Sequence, residues 1–221
     1  MLDVLHPEHA DRNHAELFIH GVFAREYAAD VRHFMPHLLR LRHDDTGMCY
    51  SIAGCRAAAS GKLFVERYLE APIESVLSQQ MGYDLPRASI VEVGNLAEAK
   101  SGASRIAMFA MLSFLFGAGY EWGIMTAVPK VANAFHRMGL TSAEIGIADA
   151  SKLSLHEQKE WGAYYDKQPK LRVANLRKNF RILETFSFTF APEQHDIMDK
   201  ARRLGLGWRR ILDEKAEEGI S

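Results

Sequence analysis

Strands and helices alternate in the hydrophobic pattern of the middle part of the chain. The apolar run over residues 89–96 predicts a buried strand, and the helical spacing of apolar side chains over residues 104–118 predicts the helix after it. Residues 122–128 predict a second strand, followed by a helix that begins at Pro129 and ends at Gly139. This alternation indicates helices packed on a sheet that contains parallel strands.

A hairpin is predicted nearer the N-terminus. Apolar runs over residues 38–42 and 48–57 flank an Asp-Asp-Thr-Gly turn, a composition that hairpins favour. Ahead of them, alternating apolar positions over residues 17–23 predict a strand, and helical spacing over residues 25–39 predicts a helix that ends or kinks near Pro36. The sheet is therefore expected to be mixed, with antiparallel strands beside parallel ones.

The remaining pattern is weaker and completes the predicted fold. Its elements are a helix over residues 63–80 broken at Pro72, a strand over 143–148, a helix over 155–165, a strand over 186–190, and a charged helix over 192–218 interrupted by Gly205 and Gly207. We predict an α/β (α+β) fold with a mixed central sheet flanked by helices. The domain is expected to span residues 16–191, between a flexible N-terminal arm over 1–15 and a helical C-terminal tail over 192–221.

Composition narrows the class of protein. Of 221 residues, 48% are apolar and 25% are charged, as in ordinary globular proteins, and a formal net charge of -1 argues against a nucleic-acid partner. Cys49 and Cys55 lie on one predicted strand, where a disulfide is geometrically unfavourable, so free thiols and a cytoplasmic location are expected. The N-terminus has no signal-peptide pattern, and the most apolar window, residues 106–116, is too short to span a bilayer.

The most informative side chains lie on the predicted strand over residues 89–96. Glu92 is an acid on a strand expected to be central, where burial is costly unless the acid has a function or a partner. Glu92 and Asn95 are therefore the candidate catalytic residues. The alternatives are that Glu92 only pairs with an arginine such as Arg56 across the sheet, and that Asn95 only bonds to a local turn.

A loop of small residues follows this strand at the start of the next helix. Helix N-termini present free N–H groups and the positive end of the helix dipole, and both attract an anion such as a phosphate. An ordinary helix start capped by serine is the alternative interpretation. The candidate cofactor-binding residues in this loop are Ser101, Gly102, Ala103, Ser104 and Arg105.

Three stretches resemble a known family. They read Leu-Phe-Val-Glu-Arg-Tyr-Leu-Glu-Ala-Pro-Ile-Glu over residues 63–74, Ile-Val-Glu-Val-Gly-Asn-Leu-Ala over 90–97, and Trp-Gly-Ala-Tyr-Tyr over 161–165. Across roughly residues 20–180 the chain resembles the bacterial thermostable hemolysin family, whose architecture is similar to the GNAT superfamily of N-acetyltransferases and to the acyl-homoserine-lactone synthases. The resemblance implies an acyl-CoA N-acyltransferase-like fold, in which the loop after the fourth strand holds the pyrophosphate of coenzyme A.

Departures from these relatives limit what the resemblance implies. Arg56 stands in the place of a strand arginine of the lactone synthases and Glu92 in the place of their acid, while Asn95 replaces a second arginine. The loss of that charge argues against lactone synthesis. The coenzyme-binding loop around Gly102 is degenerate, and Phe135 occupies the position of a tyrosine that often acts as general acid in the acetyltransferases.

Histidines and aromatic residues elsewhere in the chain are the candidates for metal and substrate sites. His33 and His37 lie four residues apart on a predicted helix, but no third ligand has a matching spacing, so no metal is predicted. Aromatic side chains near residue 165 line either an acyl or amine pocket or, alternatively, the core or a subunit contact. The candidate substrate-binding residues are Arg56, Thr126, Tyr164 and Tyr165.

An acyltransferase is the interpretation that joins these features. An acyl group would move from a thioester carrier, either coenzyme A or the acyl-phosphopantetheine of an acyl-carrier protein, to a small amine, with no tightly bound cofactor. Glu92 would receive the amine's proton, and main-chain amides over residues 93–96 would polarise the thioester carbonyl. Methionines and phenylalanines over residues 108–125 favour a chain longer than acetyl.

Two other classes of function stay open. One is a membrane-active cytolysin, as the family name suggests, although the sequence shows no export signal, pore-forming stretch or basic lipid-binding cluster. The other is a relative of the fold that binds a ligand without catalysis. The tail over residues 192–221 offers a surface for a second copy of the chain, so a homodimer is a further open expectation.

Overall fold

The structure is a computed structural model and describes residues 1–99 and 104–218. Within them the chain forms seven strands: β1 Leu2–Leu5, β2 His37–Arg42, β3 Cys49–Ala57, β4 Ile90–Glu98, β5 Trp122–Ala127, β6 Ala143–Ile147 and β7 Lys170–Asn175. The α-helices are α1 Arg12–Tyr27, α2 Ile73–Met81, α3 Ser104–Gly117, α4 Pro129–Arg137, α5 Leu155–Glu160, α6 Leu176–Phe186 and α7 Pro192–Glu218. Short 3-10 helices lie in the connections, one of them at Val65–Tyr68.

The strands form one mixed sheet in the order β1-β2-β3-β4-β5-β7-β6. β4 and β5 are parallel, and every other neighbouring pair is antiparallel. The predicted hairpin is confirmed as β2 and β3, and the predicted strand that carries Glu92 is confirmed as β4 in the middle of the sheet. The predicted fold class, a mixed central sheet flanked by helices, is therefore confirmed.

The N-terminal residues belong to the sheet, so the flexible arm predicted over residues 1–15 is wrong for this segment. β1 pairs with β2, and both Leu2 and Leu5 are buried. The two leucines have opposite parity on the strand, and each enters the hydrophobic cluster on its own side of the sheet. The domain limits predicted at residues 16 and 191 stay a prediction.

A helix replaces the strand predicted over residues 17–23. The buried residues Ala15, Ile19 and Phe23 recur at helical spacing along α1, whereas Leu17 is 67% exposed. The apolar residues over 17–23 that predicted a strand therefore belong to a helix that begins earlier in the chain, at Arg12.

The helix predicted over residues 25–39 is also wrong. α1 ends where Ala28 takes a φ of 51°, a left-handed conformation that closes a helix. The chain then runs irregularly from residue 30 to residue 36, and β2 follows. We call residues 30–36 the strap, because they lie over the sheet and the backbone of Met35 and His33 hydrogen-bonds to Asn95 of β4.

Helices cover both faces of the sheet. On one face, which we call the α3 face, α3, α6 and α7 pack over a cluster that includes Val91 and Leu176. On the other, the α1 face, α1, α2 and the 3-10 helix Val65–Tyr68 cover clusters that include Ile19 and Ile90. Consecutive β4 residues thus reach both cores, as expected of a central strand.

Two elements near the C-terminus have no counterpart in the predicted pattern. β7 lies between β5 and β6, and α6 follows it directly. The strand predicted over residues 186–190 is instead the end of α6 and a 3-10 turn, in which Phe188 is 82% exposed. The predicted interruption at Gly205 and Gly207 is wrong, since α7 continues through both. A Cβ at Gly205 would lie 2.1 Å from the carbonyl oxygen of Phe114 on α3. The glycine permits close helix packing there and does not interrupt the helix.

Candidate active site

The sheet opens where β4 and β5 diverge. The strands pair up to Val93 and Met125, and beyond that point β4 continues along β3 while β5 continues along β7. A cavity with a volume of about 180 Å³ occupies the opening. Residues from both faces of the sheet line this cavity, so it has a polar half on the α1 face and an apolar half on the α3 face.

A β-bulge lies at the opening. Asn95 and Leu96 of β4 stand opposite a single β3 residue, Ala53. Asn95 has a φ of 50°, in the left-handed region that asparagine occupies more readily than most residues. Bulges bend the strand that carries them and re-aim its backbone groups. The bulge therefore changes the course of β4 just after the strand has left β5.

Two side chains of opposite charge define the polar half of the cavity. Arg56 on β3 and Glu92 on β4 are register partners, so they extend from the same face of the sheet. We define the polar half by these two residues and by the aromatic and hydroxyl side chains around them: Arg56, Phe64, Glu92, Thr126, Trp161 and Tyr165.

Main-chain amides hold Glu92 in place. Its Oε2 accepts a hydrogen bond from the N–H of Phe64 and its Oε1 from the N–H of Val65, both at 2.9 Å. These amides lie at the start of the 3-10 helix, where free N–H groups are expected. Burial raises the pKa of Glu92 above its ordinary value, and the two N–H groups and the charge of Arg56 oppose that rise.

The alternative that Glu92 only pairs with Arg56 required a salt bridge between these two side chains, and the structure has none. Within the described residues the guanidinium of Arg56 forms no ion pair, and its Nη1 donates a long hydrogen bond of 3.4 Å to the carbonyl oxygen of Lys62. Arg56 and Glu92 are therefore paired only as opposite residues of neighbouring strands. The hydrogen bonds to the Glu92 carboxylate come from main-chain amides. Arg56 therefore borders the cavity without a salt bridge to the described residues.

A second buried acid, Glu66, anchors the same segment from the other side. Its carboxylate accepts hydrogen bonds from the N–H groups of Leu63 and Ile73 and forms an ion pair with Arg87 at 2.6 Å. Burial alone would raise its pKa, but the bonds from Arg87 and from the two amides lower it to about 2. Glu66 therefore acts as a fixed anion in a closed site.

Asn95 fastens the strap to β4. Its Oδ1 accepts a hydrogen bond of 2.6 Å from the N–H of Met35, and its Nδ2 donates to the carbonyl oxygen of His33 at 3.5 Å. From the other side, the guanidinium of Arg12 donates to the carbonyl oxygens of Met35 at 2.7 Å and Pro36 at 3.0 Å. The carboxamide of Asn95 thus positions the cavity wall, and its predicted catalytic role stays a prediction.

The predicted substrate-binding tyrosines and threonine meet at the cavity. Tyr164 donates a hydrogen bond of 3.2 Å to the carbonyl oxygen of Thr126, and the hydroxyl groups of Tyr165 and Tyr68 bond to each other. Burial raises the pKa of Tyr165 to about 12, so its phenol stays neutral. The Oγ1 of Thr126 is buried and has no hydrogen-bond partner among the described residues, which leaves one polar atom of the cavity wall for a bound molecule.

The apolar half of the cavity is lined by α3 and its neighbours. We define it by Met108, Met111, Leu112, Leu115, Phe135 and Leu176. Phe135 occupies the position where the resemblance places a tyrosine, and it is buried in this hydrophobic cluster. The methionines are unbranched and adapt to the shape of a neighbouring molecule more easily than branched side chains do.

A basic groove adjoins the cavity at the N-terminal end of α3. It has a volume of about 1060 Å³ and shares Leu96 and Met108 with the cavity. Two acids, Glu26 and Glu98, line it together with four cations, so positive charge predominates. The four cations of the groove are Arg25, Arg105, Lys130 and Arg137.

Part of the predicted cofactor loop cannot be placed. Ser101, Gly102 and Ala103 lie outside the described residues, whereas Ser104 begins α3 and Arg105 is exposed in its first turn. Arg105 is therefore the predicted loop residue whose side chain is seen to line the groove. The anion-binding role of the loop stays a prediction.

The two histidines considered as metal ligands do not share a helix. His33 lies on the strap and His37 begins β2. In the part of the chain that the structure describes, no group of three or more histidine, cysteine, aspartate or glutamate side chains could hold a metal ion.

The residues that hold Glu92 and the strap are not evident from the sequence. Phe64 and Val65 act through their backbone amides, which no side-chain pattern reveals. The strap packs on two facing glycines, Gly54 and Gly94, where a Cβ would lie 2.6 and 2.7 Å from atoms of Met35. Glycines on two predicted neighbouring strands were the available signal that another segment approaches the sheet closely.

Most of the chain matches the model of one protein family. Residues 5–180 match the family described as thermostable hemolysin. The chain belongs to the thermostable hemolysin family. The resemblance inferred from its motifs is therefore confirmed. None of the curated protein sequences matches the chain significantly.

Solved structures show which fold this thermostable hemolysin family member has. FeeM, an N-acyl amino acid synthase from uncultured soil microbes, is 13% identical, with a TM-score of 0.53 over 80% of this chain and 96% of FeeM. TofI, solved in an apo form, is 13% identical, with a TM-score of 0.54 over 88% of this chain and 99% of TofI. BjaI, a coenzyme A-dependent acyl-homoserine lactone synthase solved with SAM and isopentyl-CoA, is 13% identical, with a TM-score of 0.56 over 90% of this chain and 89% of BjaI.

These similarities establish an acyl-CoA N-acyltransferase-like fold for the thermostable hemolysin family member, as the sequence predicted. At this level of identity they carry the fold and not the substrates. Among the helices of the described residues, none is both long and apolar enough to cross a membrane.

Proposed function

We propose that the protein is an acyltransferase that moves an acyl group from a thioester carrier to a small amine. The observation that carries the proposal is the cavity at the β4–β5 opening, which brings the buried carboxylate of Glu92 next to an apolar pocket and a basic groove. A thioester donor needs all three features: a place for the acyl chain, a place for the carrier's phosphates, and a group near the carbonyl that accepts a proton.

Proton transfer is the role that we assign to Glu92. Each oxygen of its carboxylate accepts one main-chain hydrogen bond and keeps a further lone pair for the ammonium group of the acceptor or for a bridging water. A carboxylate whose pKa is raised by burial is a stronger base than an exposed one. The amine transfers its proton to Glu92 and then attacks the thioester carbonyl.

The bond changes of the transfer are balanced without a metal or redox group. The nitrogen–carbon bond of the amide forms, the carbon–sulfur bond of the thioester breaks, and the nitrogen passes its second proton, directly or through water, to the leaving thiolate. Glu92 then releases the first proton to solvent. In the tetrahedral intermediate, negative charge develops on the carbonyl oxygen, and we assign its stabilisation to backbone N–H groups near the bulge at residues 93–96.

The donor would lie across the basic groove and the apolar half of the cavity. Its phosphates face the four groove cations, and its acyl chain enters between the side chains of α3 and α4. An apolar cavity of about 150 Å³ is known to hold benzene. The observed volume of about 180 Å³ is of similar size, and it is shared between the acyl chain in the apolar half and the acceptor in the polar half. Either coenzyme A or a carrier protein's phosphopantetheine is compatible with this placement.

The descriptions of two of the similar structures support the proposal. FeeM is described as an N-acyl amino acid synthase and BjaI as a coenzyme A-dependent synthase. Both descriptions refer to those proteins, and both name a synthase of an acylated product. The fold that this chain shares with both proteins supports the same class of reaction for it, and the cavity that holds Glu92 is the part of the argument that rests on this chain's own residues.

Thiol release with acyl-CoA donors from acetyl to dodecanoyl tests the proposal, with a mixture of small amines as acceptors and mass spectrometry to identify the amide product. We expect a maximum at a medium or long chain. Leu112→Trp, which fills part of the apolar half, should shift that maximum to shorter chains, whereas Leu17→Trp on the exposed side of α1 should not.

The same preparations separate the other two classes of function. Lysis of liposomes without any donor, unaffected by substitution of Glu92, would replace the proposal with a cytolysin. A rise of the melting temperature with coenzyme A but no thiol release with any donor and acceptor would replace it with a non-catalytic binder.

A further inference from the structure

The charges of the polar half are unusual for a site that receives a simple amine. Among the described residues that line the cavity, Glu92 is the only acid and Arg56 the only arginine or lysine, and they are cross-strand partners. The Cβ atoms of such partners lie about 5 Å apart. One small molecule can therefore contact both groups at once.

Arg56 also differs from the other partly buried arginines in its lack of an anionic partner. Arg12 pairs with Glu16, Arg40 with Asp3 and Asp11, and Arg87 with Glu66 and Glu74. Within the described residues Arg56 forms no ion pair: it donates a long hydrogen bond to a carbonyl oxygen and acts on Glu92 only through its charge, without contact. A half-buried guanidinium without an anion is a site that a carboxylate or phosphate can complete.

The surrounding wall is aromatic. The Phe64 and Trp161 rings lie 5.7 Å apart, and the Trp161 and Tyr165 rings lie 6.1 Å apart. All three line the polar half. Such a wall favours an apolar group on the bound molecule, because a polar side chain would lose its hydration without gaining partners.

We infer that the acceptor is an α-amino acid with an apolar side chain, with its carboxylate on Arg56, its amine facing Glu92 and its side chain against Phe64, Trp161 and Tyr165. An α-amino acid carries its amine and its carboxylate on one carbon, which matches two opposite charges on neighbouring strands. The inference rests on the proposed acyl transfer and names the acceptor class for it.

A set of matched acceptors tests the inference with a medium-chain acyl-CoA as donor. Phenylalanine has all three recognised groups, phenethylamine lacks the carboxylate, hydrocinnamate lacks the amine, glutamate changes the side chain, and phosphoethanolamine replaces the carboxylate with a phosphate. We expect thiol release in the order phenylalanine, then phenethylamine at a KM at least about tenfold higher, with the others slower still. Equal or faster reaction with phosphoethanolamine would overturn the amino-acid assignment.

Arg56→Gln separates recognition of the carboxylate from general damage. Its KM for phenylalanine should rise at least about tenfold, while its KM for phenethylamine stays within about twofold of wild type. Arg177→Gln, an exposed position on α6 outside the cavity, is the control and should leave both unchanged. An equal change for both acceptors in Arg56→Gln would show a structural role only and overturn the inference.

Calorimetric titration of phenylalanine and phenethylamine into the full-length protein, with coenzyme A present, makes the two proposals separately testable. Binding of phenylalanine that Arg56→Gln weakens, without turnover, would retain the acceptor site and overturn acyl transfer. Turnover that is equal for amines with and without a carboxylate would retain acyl transfer and overturn the acceptor class. Neither binding nor turnover with any amino acid would also overturn the acceptor class.

Discussion

Glu66 and Glu92 show how similar buried acids come to differ. Each accepts two hydrogen bonds from main-chain amides of one short segment, and each is almost completely buried. Glu66 also has the guanidinium of Arg87, and its pKa falls to about 2. Glu92 has no ion pair among the described residues, borders a cavity, and has a raised pKa. A contacting arginine keeps a buried acid ionised and fixed in place, as at Glu66. A buried acid that borders a cavity and has no such arginine is a candidate for proton transfer, as at Glu92.

Glu92→Gln should produce the largest effect, because it removes the proposed proton acceptor. We expect kcat/KM to fall by about a hundredfold to ten-thousandfold, the range of a general base. Steady-state thiol release measures this effect. Glu184→Gln, at an exposed position of α6 outside both cavities, is the matched control and should retain wild-type rates.

The same variant requires a stability measurement. A glutamine has one acceptor oxygen, so one of the N–H groups of Phe64 and Val65 would lose its partner, at a cost of about 1–3 kcal/mol. Removal of a costly buried charge offsets part of that cost. Unchanged turnover in a folded Glu92→Gln protein would rule out the proposed base.

In contrast to Glu92→Gln, Glu66→Gln should lower the free energy of unfolding strongly and change kcat/KM only a little. The difference between a pKa of about 2 in the folded protein and the ordinary 4.5 corresponds to about 3 kcal/mol of the free energy of unfolding at neutral pH. Urea unfolding monitored by circular dichroism measures the loss. Glu74→Gln, which removes the more exposed acid on Arg87, should cost less.

The two acids should also respond oppositely to pH. Because its folded pKa is lowered, Glu66 stabilises the fold fully above about pH 4.5, and this contribution is lost as the pH falls toward 2. Because the pKa of Glu92 is raised, the free energy of unfolding falls as the pH rises through it. The rate of acyl transfer should fall on the acid side with a midpoint above 4.5, measured as kcat/KM against pH. A midpoint below that value would contradict a raised pKa for the base.

A pair of glycine substitutions should give the smallest effects. A Cβ at Gly54 would lie 2.6 Å from Cβ of Met35, which is tied to the backbone, whereas a Cβ at Gly94 would meet the mobile end of that side chain at 2.7 Å. We expect Gly54→Ala to destabilise the protein by about 1–3 kcal/mol and Gly94→Ala by less than about 1 kcal/mol. Thermal unfolding measures both. If Gly94→Ala destabilised the protein more than Gly54→Ala, the strap would move as a unit, and the contact with Met35 would not determine the loss of stability.

Predictions from the sequence succeeded where one local run of residues decides the outcome. β4, the β2–β3 hairpin and α3 each have a continuous hydrophobic pattern, and Glu92 was recognised because an acid interrupts such a run. The predicted arm over residues 1–15 was wrong because β1 is only four residues long and takes its stability from a partner strand far along the chain. Propensity cannot detect that pairing.

The candidate site was less predictable for the same reason. The backbone bonds to Glu92 come from residues 27 and 28 positions away, and the bond between Asn95 and Met35 spans 60 positions. No local pattern contains such distances. Arg56 was predicted as a substrate-binding residue from resemblance, and its lack of an anionic partner is a property of the folded surroundings alone.

The contact between α3 and α7 has a consequence for how the protein opens. A Cβ at Gly117 would lie 2.3 Å from the carbonyl oxygen of Arg202, and Gly205 approaches α3 from the other side, so the two backbones touch along a crossing with no side chain between them. Separation of the helices exposes bare backbone and costs the whole contact at once, so their amide hydrogens should exchange with solvent as one cooperative unit. Met111 and Leu112 belong to that unit, and the wall of the acyl pocket should therefore stay closed for as long as the C-terminal helix remains folded against it.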